Sequence, residues 1–155
     1  YSLHGKTKIL HAIFSQGDKK IHIVRLPKSY MNESGRSLLP YLNFYQIPPE
    51  SVVIAHDDLD LPFGALRFKR GGGSGGHNGL KDLTHYLKTS EYWRIRIGIG
   101  RPPVYQEVAD YVLSPLSPSE QKAWPNVLTH ATIGWPELAA LDHVRIQQLW
   151  HSSTP

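Results

Sequence analysis

The sequence predicts one α/β domain, a mixed and mostly parallel central sheet flanked by helices. Three observations carry that expectation. The chain has 155 residues, 40% hydrophobic and 19% charged, which suits a domain able to bury its own core rather than a disordered chain. Apolar runs of strand character alternate along it with runs of helical spacing. No internal repeat or linker-like tract divides residues 1–155, so a single domain is the working assumption.

Taken in order, residues 6–15 (KTKILHAIFS) and 20–26 (KIHIVRL) read as strands, and Gly17-Asp18 between them is a hairpin signal, so they should pair antiparallel. Pro27 ends the second. Residues 31–45 (MNESGRSLLPYLNFY) set Leu38, Leu42 and Tyr45 at helical spacing, with Asn32 or Ser34 as N-cap; Pro40 suits that helix only in its first turn. After Pro48-Pro49, residues 51–55 (SVVIA) are the continuous apolar run of a strand buried on both faces, which leaves Asp57, Asp58 and Asp60 at its C-terminal end. Residues 65–70 (ALRFKR) alternate as a strand, and a glycine tract then leads into a helix over about 80–88. Residues 94–100 (RIRIGIG) put Ile95, Ile97 and Ile99 on one face and Arg94 and Arg96 on the other. Ser117-Pro118-Ser119-Glu120 starts a helix, and Pro125 and Pro136 divide the C-terminal stretch into at least two helical pieces ending near Trp150.

With no cysteine, the chain has no disulfide framework, no thiolate nucleophile and no Cys-ligated metal, and a reducing compartment is compatible. No stretch approaches the roughly 20 apolar residues of a membrane helix, and residues 1–10 lack the apolar core of a secretory signal, so a cytoplasmic protein without membrane contact is expected. The net charge of +4 is localised: residues 61–101 carry eight basic and two acidic side chains, or +6, against +1 before and −3 after. Such a segment is either a footprint for a polyanion or a solvated face, and charge alone leaves both open.

The tract Gly71-Gly72-Gly73-Ser74-Gly75-Gly76-His77-Asn78-Gly79 holds six of the 13 glycines. It satisfies G-x-G-x-x-G at Gly71, Gly73 and Gly76, which keeps a dinucleotide-binding domain among the readings; a Walker-type phosphate loop is excluded because no Gly-Lys-Ser/Thr is present. A plain surface turn is the other reading of the tract. His77 and Asn78 add an imidazole and a carboxamide at a helix start, and Asp57 offers a carboxylate able to orient an imidazole. Asp57, Asp58 and Asp60 together could instead ligate a divalent cation, but no second acidic cluster or His-x-x-x-His accompanies them; loop solvation and capping remain alternatives for each.

The stretches YMNESG (residues 30–35), AHDDLDLP (55–62), GGGSGGHNGLKD (71–82) and RIRIGIGRP (94–102), in that order and spacing, resemble the signatures of bacterial peptidyl-tRNA hydrolases. The resemblance runs from about Gly5 to Trp150. It implies hydrolysis of the ester between a peptide and the 3′ ribose of tRNA, with no metal and no cofactor, in a monomer. Asp57 would orient a general-base histidine. Asn32 would hold substrate near the attacked carbonyl, with Tyr30 beside it in the same motif. Asn78 would position water and the peptide backbone, with His77 as a further substrate contact. Lys69 and Arg96 would clamp the 5′ phosphate of the tRNA, with Arg94 nearby, and phosphate contacts of this kind position a nucleic acid without reading its sequence.

One departure stands out. The family's base histidine, and the asparagine of its Gly-Asn-Pro-Gly-type loop, match nothing among the nine histidines and the asparagines here. They are expected on a first strand and loop ahead of Tyr1, so this chain alone should be nearly inactive. A noncatalytic RNA-binding relative that keeps the Lys69/Arg96 pair is the alternative.

Overall fold

The structure, a computed structural model, describes residues 2–4, 9–26 and 31–151. They form two compact units, one drawn from residues 1–52 and 70–93 and the other from 53–69 and 94–155.

In the first unit, β1 (Ser2–His4), β2 (Ile9–Gln16) and β3 (Lys19–Arg25) make an antiparallel sheet in that order. Gln16 pairs with Lys19, leaving a two-residue loop, and Gly17 at φ 58° supplies the positive φ such a loop demands. A 3-10 turn at Met31–Glu33 leads into α1 (Ser34–Tyr45). Neither Asn32 nor Ser34 caps this helix as the sequence suggests. The N-cap is Glu33, with no capping bond of its own, and the orphan N–H groups of Gly35 and Arg36 donate instead to Asp82 Oδ2, at 2.8 and 3.1 Å. Asp82 lies on α2 (Asn78–Leu87), so the cap comes from a residue far along the chain. Pro40 sits well inside α1, on its exposed side, where water can serve the carbonyl that lost its helical donor.

Helix α1 packs on α2. Leu38, Tyr41 and Leu42 of the first and Leu80, Leu83 and Leu87 of the second are buried, together with Ile9, Val52 and Tyr92. The helices approach closely because Gly35 has no side chain: a Cβ there would lie 2.3 Å from the main-chain oxygen of Asp82. The hairpin is tied to α1 through Tyr41, whose hydroxyl meets His11 Nδ1 at 3.1 Å and His22 Nδ1 at 2.9 Å. Burial, and then the charge of Tyr45, push the Tyr41 phenol up to about 12.

Strands β4 (Val53–Asp58), β5 (Leu66–Arg70) and β6 (Trp93–Gly98), which belong to the second unit except for Arg70 and Trp93, form a sheet in the order β4-β6-β5. It is mixed. Trp93 and Ile99 donate to Val52 and Asp58, a parallel register, whereas Gly71 donates to Tyr92 and Gly98 to Ala65, an antiparallel one. Strand β4 is longer than expected and only half-buried, with Ala55 exposed, so Asp57 and Asp58 belong to the strand itself. A short apolar run does not by itself reveal how many faces are covered. On β6, where the alternation puts arginines and isoleucines on opposite faces, Arg94 is 1% exposed while Ile95, Arg96, Ile97 and Ile99 are half-buried.

Four helices complete the described chain: α3 (Val108–Leu113), α4 (Pro118–Ile133), α5 (Trp135–Ala140) and α6 (His143–His151). Ser117 and Glu120 form a reciprocal capping box at the start of α4. Pro125 does not divide this region; α4 runs through it, and the breaks fall at Gly134 and at Leu141. Gly134 is small by necessity, since a Cβ there would meet the buried Trp150 ring at 2.6 Å. Helix α6 completes the outer edge of β5 with side chains: Phe68 N–H donates to His151 Nε2 at 3.0 Å, and Gln147 donates to Phe68 C=O at 3.1 Å.

Candidate functional site

The candidate residues fall in both units. In the first, Asn32 and Asn78 line one shallow cavity of about 320 Å³, with Lys81, Asp82 and His85. The local sequence explains their approach. Asp82 holds the start of α1, and Gly79, where a Cβ would lie 3.2 Å from Ser34 Oγ, lets the start of α2 come in beside it. His77 is the N-cap of α2: its Nδ1 accepts from Leu80 N–H at 3.2 Å, which places the ring proton on Nε2. Asn78 itself is exposed at the first position of the helix. The cavity thus offers carboxamides, which both donate and accept, beside an ammonium group. Such a wall can hold an ester carbonyl and peptide amides in place.

Lys81, Asp82 and His85 escaped the sequence reading. The signal was present, because positions 78, 81, 82 and 85 share one face of a helix that begins at Asn78. Tyr30 lies outside the described residues.

The second unit holds Asp57, Lys69, Arg94 and Arg96. Asp57 is half-buried near the end of β4, and its main-chain oxygen accepts from His56 Nδ1 at 2.7 Å. Arg96 Nε donates to Asp58 Oδ2 at 2.6 Å, and Asp58 Oδ1 accepts Asp60 N–H at 2.9 Å. Burial works to raise the Asp58 carboxyl, but the Arg96 bond, the Asp60 amide and the charges of Arg96 and His56 outweigh it and hold the group below the ordinary carboxylate range. Asp60 pairs with Arg101. Two of the three acids considered as cation ligands are therefore bound to arginines.

Lys69 is lowered from its ordinary value by burial first, and then by the charges of Arg96 and Arg94, with Asp58 opposing. Lys69, Arg94, Arg96 and Asp58 are thus one electrostatic cluster, three cations and an anion. Arg94 acts within it from the interior, at 1% exposure. The glycine tract does not serve a dinucleotide fold of the usual kind, which needs parallel strands on either side of its helix: β5, before the tract, runs antiparallel to β6.

Fold and site together define a mixed α/β protein with an amide-lined cavity in one unit and a cation cluster in the other. Comparison with known proteins gives the family. The family model for peptidyl-tRNA hydrolase matches residues 2–154. The peptidyl-tRNA hydrolase of Nocardia farcinica is 50% identical over 109 residues, 70% of this chain and 56% of that protein. That of Wolinella succinogenes is 58% identical over 96 residues, 62% of this chain and 48% of that protein. Among solved structures, a peptidyl-tRNA hydrolase crystallised with N-propanol superposes with a TM-score of 0.88 at 33% identity, covering 99% of this chain and 79% of that one. The Acinetobacter baumannii peptidyl-tRNA hydrolase gives 0.84 at 34% identity, covering 96% and 76%. The chain belongs to the peptidyl-tRNA hydrolase family, and it spans about half the length of the curated relatives it matches.

Proposed function

We propose that the protein carrying this chain hydrolyses the ester between a peptide and the 3′ ribose of tRNA, in the cytoplasm and as a monomer. The observation that carries this reading is the meeting of Asn32 and Asn78, from motifs 46 positions apart in the sequence, on a single cavity in a chain of this family. In the reaction, a water oxygen bonds to the ester carbonyl carbon while a general base takes its proton, and the ribose 3′ oxygen leaves with a proton; the products are a free peptide acid and tRNA. Asn32 holds the attacked carbonyl, Asn78 holds water and peptide backbone, and His77 contacts the peptide while capping α2. Asp57 orients the base imidazole. Lys69 and Arg96 hold the 5′ phosphate, with Arg94 supporting their field from the interior. No histidine of this chain is assigned as base, and these 155 residues alone should turn over more slowly by about 10²- to 10⁴-fold than a protein that supplies one.

Release of labelled peptide from a peptidyl-tRNA is the test. Turnover by the protein carrying this chain, lowered by Asn32→Ala and by Asn78→Ala, supports the reading. Tight tRNA binding without any hydrolysis would favour the noncatalytic RNA-binding alternative.

A further inference from the structure

Asp58 is not among the residues to which a role in the reaction is assigned, yet it is bonded to one that is. Its Oδ2 takes Arg96 Nε–H at 2.6 Å and its Oδ1 takes the amide of Asp60 at 2.9 Å, so the carboxylate is fixed at both oxygens. The two side chains are 25% exposed for Arg96 and 13% for Asp58, so water competes poorly for either. A guanidinium is a planar fork that can offer a phosphate a bidentate edge through Nε and one terminal nitrogen, or the edge between its two terminal nitrogens. Asp58 occupies the Nε side. Only the terminal-nitrogen edge, together with Lys69, is left for an incoming anion.

That restriction discriminates between phosphates. A terminal monoester has three free oxygens and can reach Lys69 and the remaining edge of Arg96 together. An internal diester has two free oxygens and a single charge and is flanked by nucleotides on both sides, so it depends more on a full bidentate edge and loses more when Asp58 takes one of the two. We propose that Asp58 is a positioning residue that makes the Lys69/Arg96 pair selective for a terminal phosphate over the internal phosphates of the same RNA. The inference rests on the reading of that pair as a phosphate clamp.

The test compares binding of one acceptor-stem RNA hairpin, bearing either a 5′ phosphate or a 5′ hydroxyl, to the wild-type protein and to Asp58→Ala, Asp58→Asn, Asp58→Glu and Arg96→Ala. The wild type should prefer the 5′ phosphate. Asp58→Ala should shrink that preference by about three- to fivefold, the range one partly exposed ion pair commands, chiefly by tightening the hydroxyl form. Asp58→Glu should restore it, which a merely structural loss would not. If Asp58→Ala fails to fold, Asp58→Asn keeps the side-chain shape and gives the same readout. An unchanged preference in Asp58→Ala and Asp58→Asn, or both RNAs moving by one common factor in them, overturns the role of Asp58 while Arg96→Ala still abolishes the preference. An unchanged preference in Arg96→Ala overturns the clamp itself and this inference with it.

Discussion

Asp57 and Lys69 both serve the proposed reaction, but their loss should show in different measurements. Asp57→Asn keeps the side-chain shape and removes the charge that steadies a base imidazole. In the protein carrying this chain, turnover should fall by about 10²- to 10⁴-fold with tRNA affinity nearly unchanged; unchanged turnover in a peptide-release assay would remove Asp57 from that role. Lys69→Ala should instead weaken tRNA binding and reduce the slope of log affinity against log salt by about one phosphate's worth. A salt titration that gives the wild-type slope would contradict the assignment. Both residues were singled out from the sequence because each sits in or beside a distinctive motif. Asp58 was legible only as a member of an acidic cluster, since nothing in a one-dimensional sequence says that its carboxylate meets Arg96, 38 positions away. The burial of Arg94 was hidden for a related reason. Strict alternation on β6 assigns arginines and isoleucines to opposite faces, but which face is the more covered depends on what packs against it.

Two junctions between elements carry separate expectations. The first is α1 on α2. Gly35→Ala drives a methyl into the main chain of Asp82, so the helices must separate, and stability should fall by about 1–3 kcal/mol. Asp82→Ala removes the acceptor for two N–H groups at the start of α1 and should cost about 0.5–2 kcal/mol. Denaturant midpoints measure both, and a wild-type midpoint for Gly35→Ala would contradict the close packing. The second junction is α6 on β5, where Phe68 N–H needs an unprotonated His151 Nε2. Burial first, and then the Arg67 charge, hold His151 below its ordinary value of 6.5. Between that lowered value and about 6.5 the unfolded chain binds a proton that the folded chain refuses, so stability rises with pH there. This contribution is complete above about pH 6.5 and is lost as pH falls through the folded value. His22, lowered by burial and then by His11, works in the same direction. Midpoints followed from about pH 7.5 to 5.5 should therefore fall, and less steeply in His151→Ala; equal slopes would remove His151 from the latch. The strands from β2 onward, the hairpin and the start of α4 could be read from local pattern; β1, three residues long, could not. The cap from Asp82, the latch from α6 and the passage of α4 through Pro125 could not, because each depends on a partner or a solvent face that the local sequence does not name.

At the scale of the molecule, the mixed α/β class was legible from the succession of apolar runs, and the family from four motifs in order. The division of the described chain into two compact units was not, because it depends on contacts between segments distant in sequence, such as residues 1–52 with 70–93. Among the described residues no helix is long and apolar enough to cross a membrane. The proposed function gives this chain two recognition tasks, the peptide ester through Asn32 and Asn78 and the terminal phosphate through Lys69 and Arg96. Its most direct test is equilibrium binding of an acceptor-stem RNA that carries a 5′ phosphate and a 3′ peptide held by a non-hydrolysable amide. Removing either the peptide or the phosphate should weaken binding, with the peptide's share lost in Asn78→Ala and the phosphate's share lost in Lys69→Ala. Equal affinity for the RNA with and without its peptide and phosphate, unaltered by either substitution, would contradict the account.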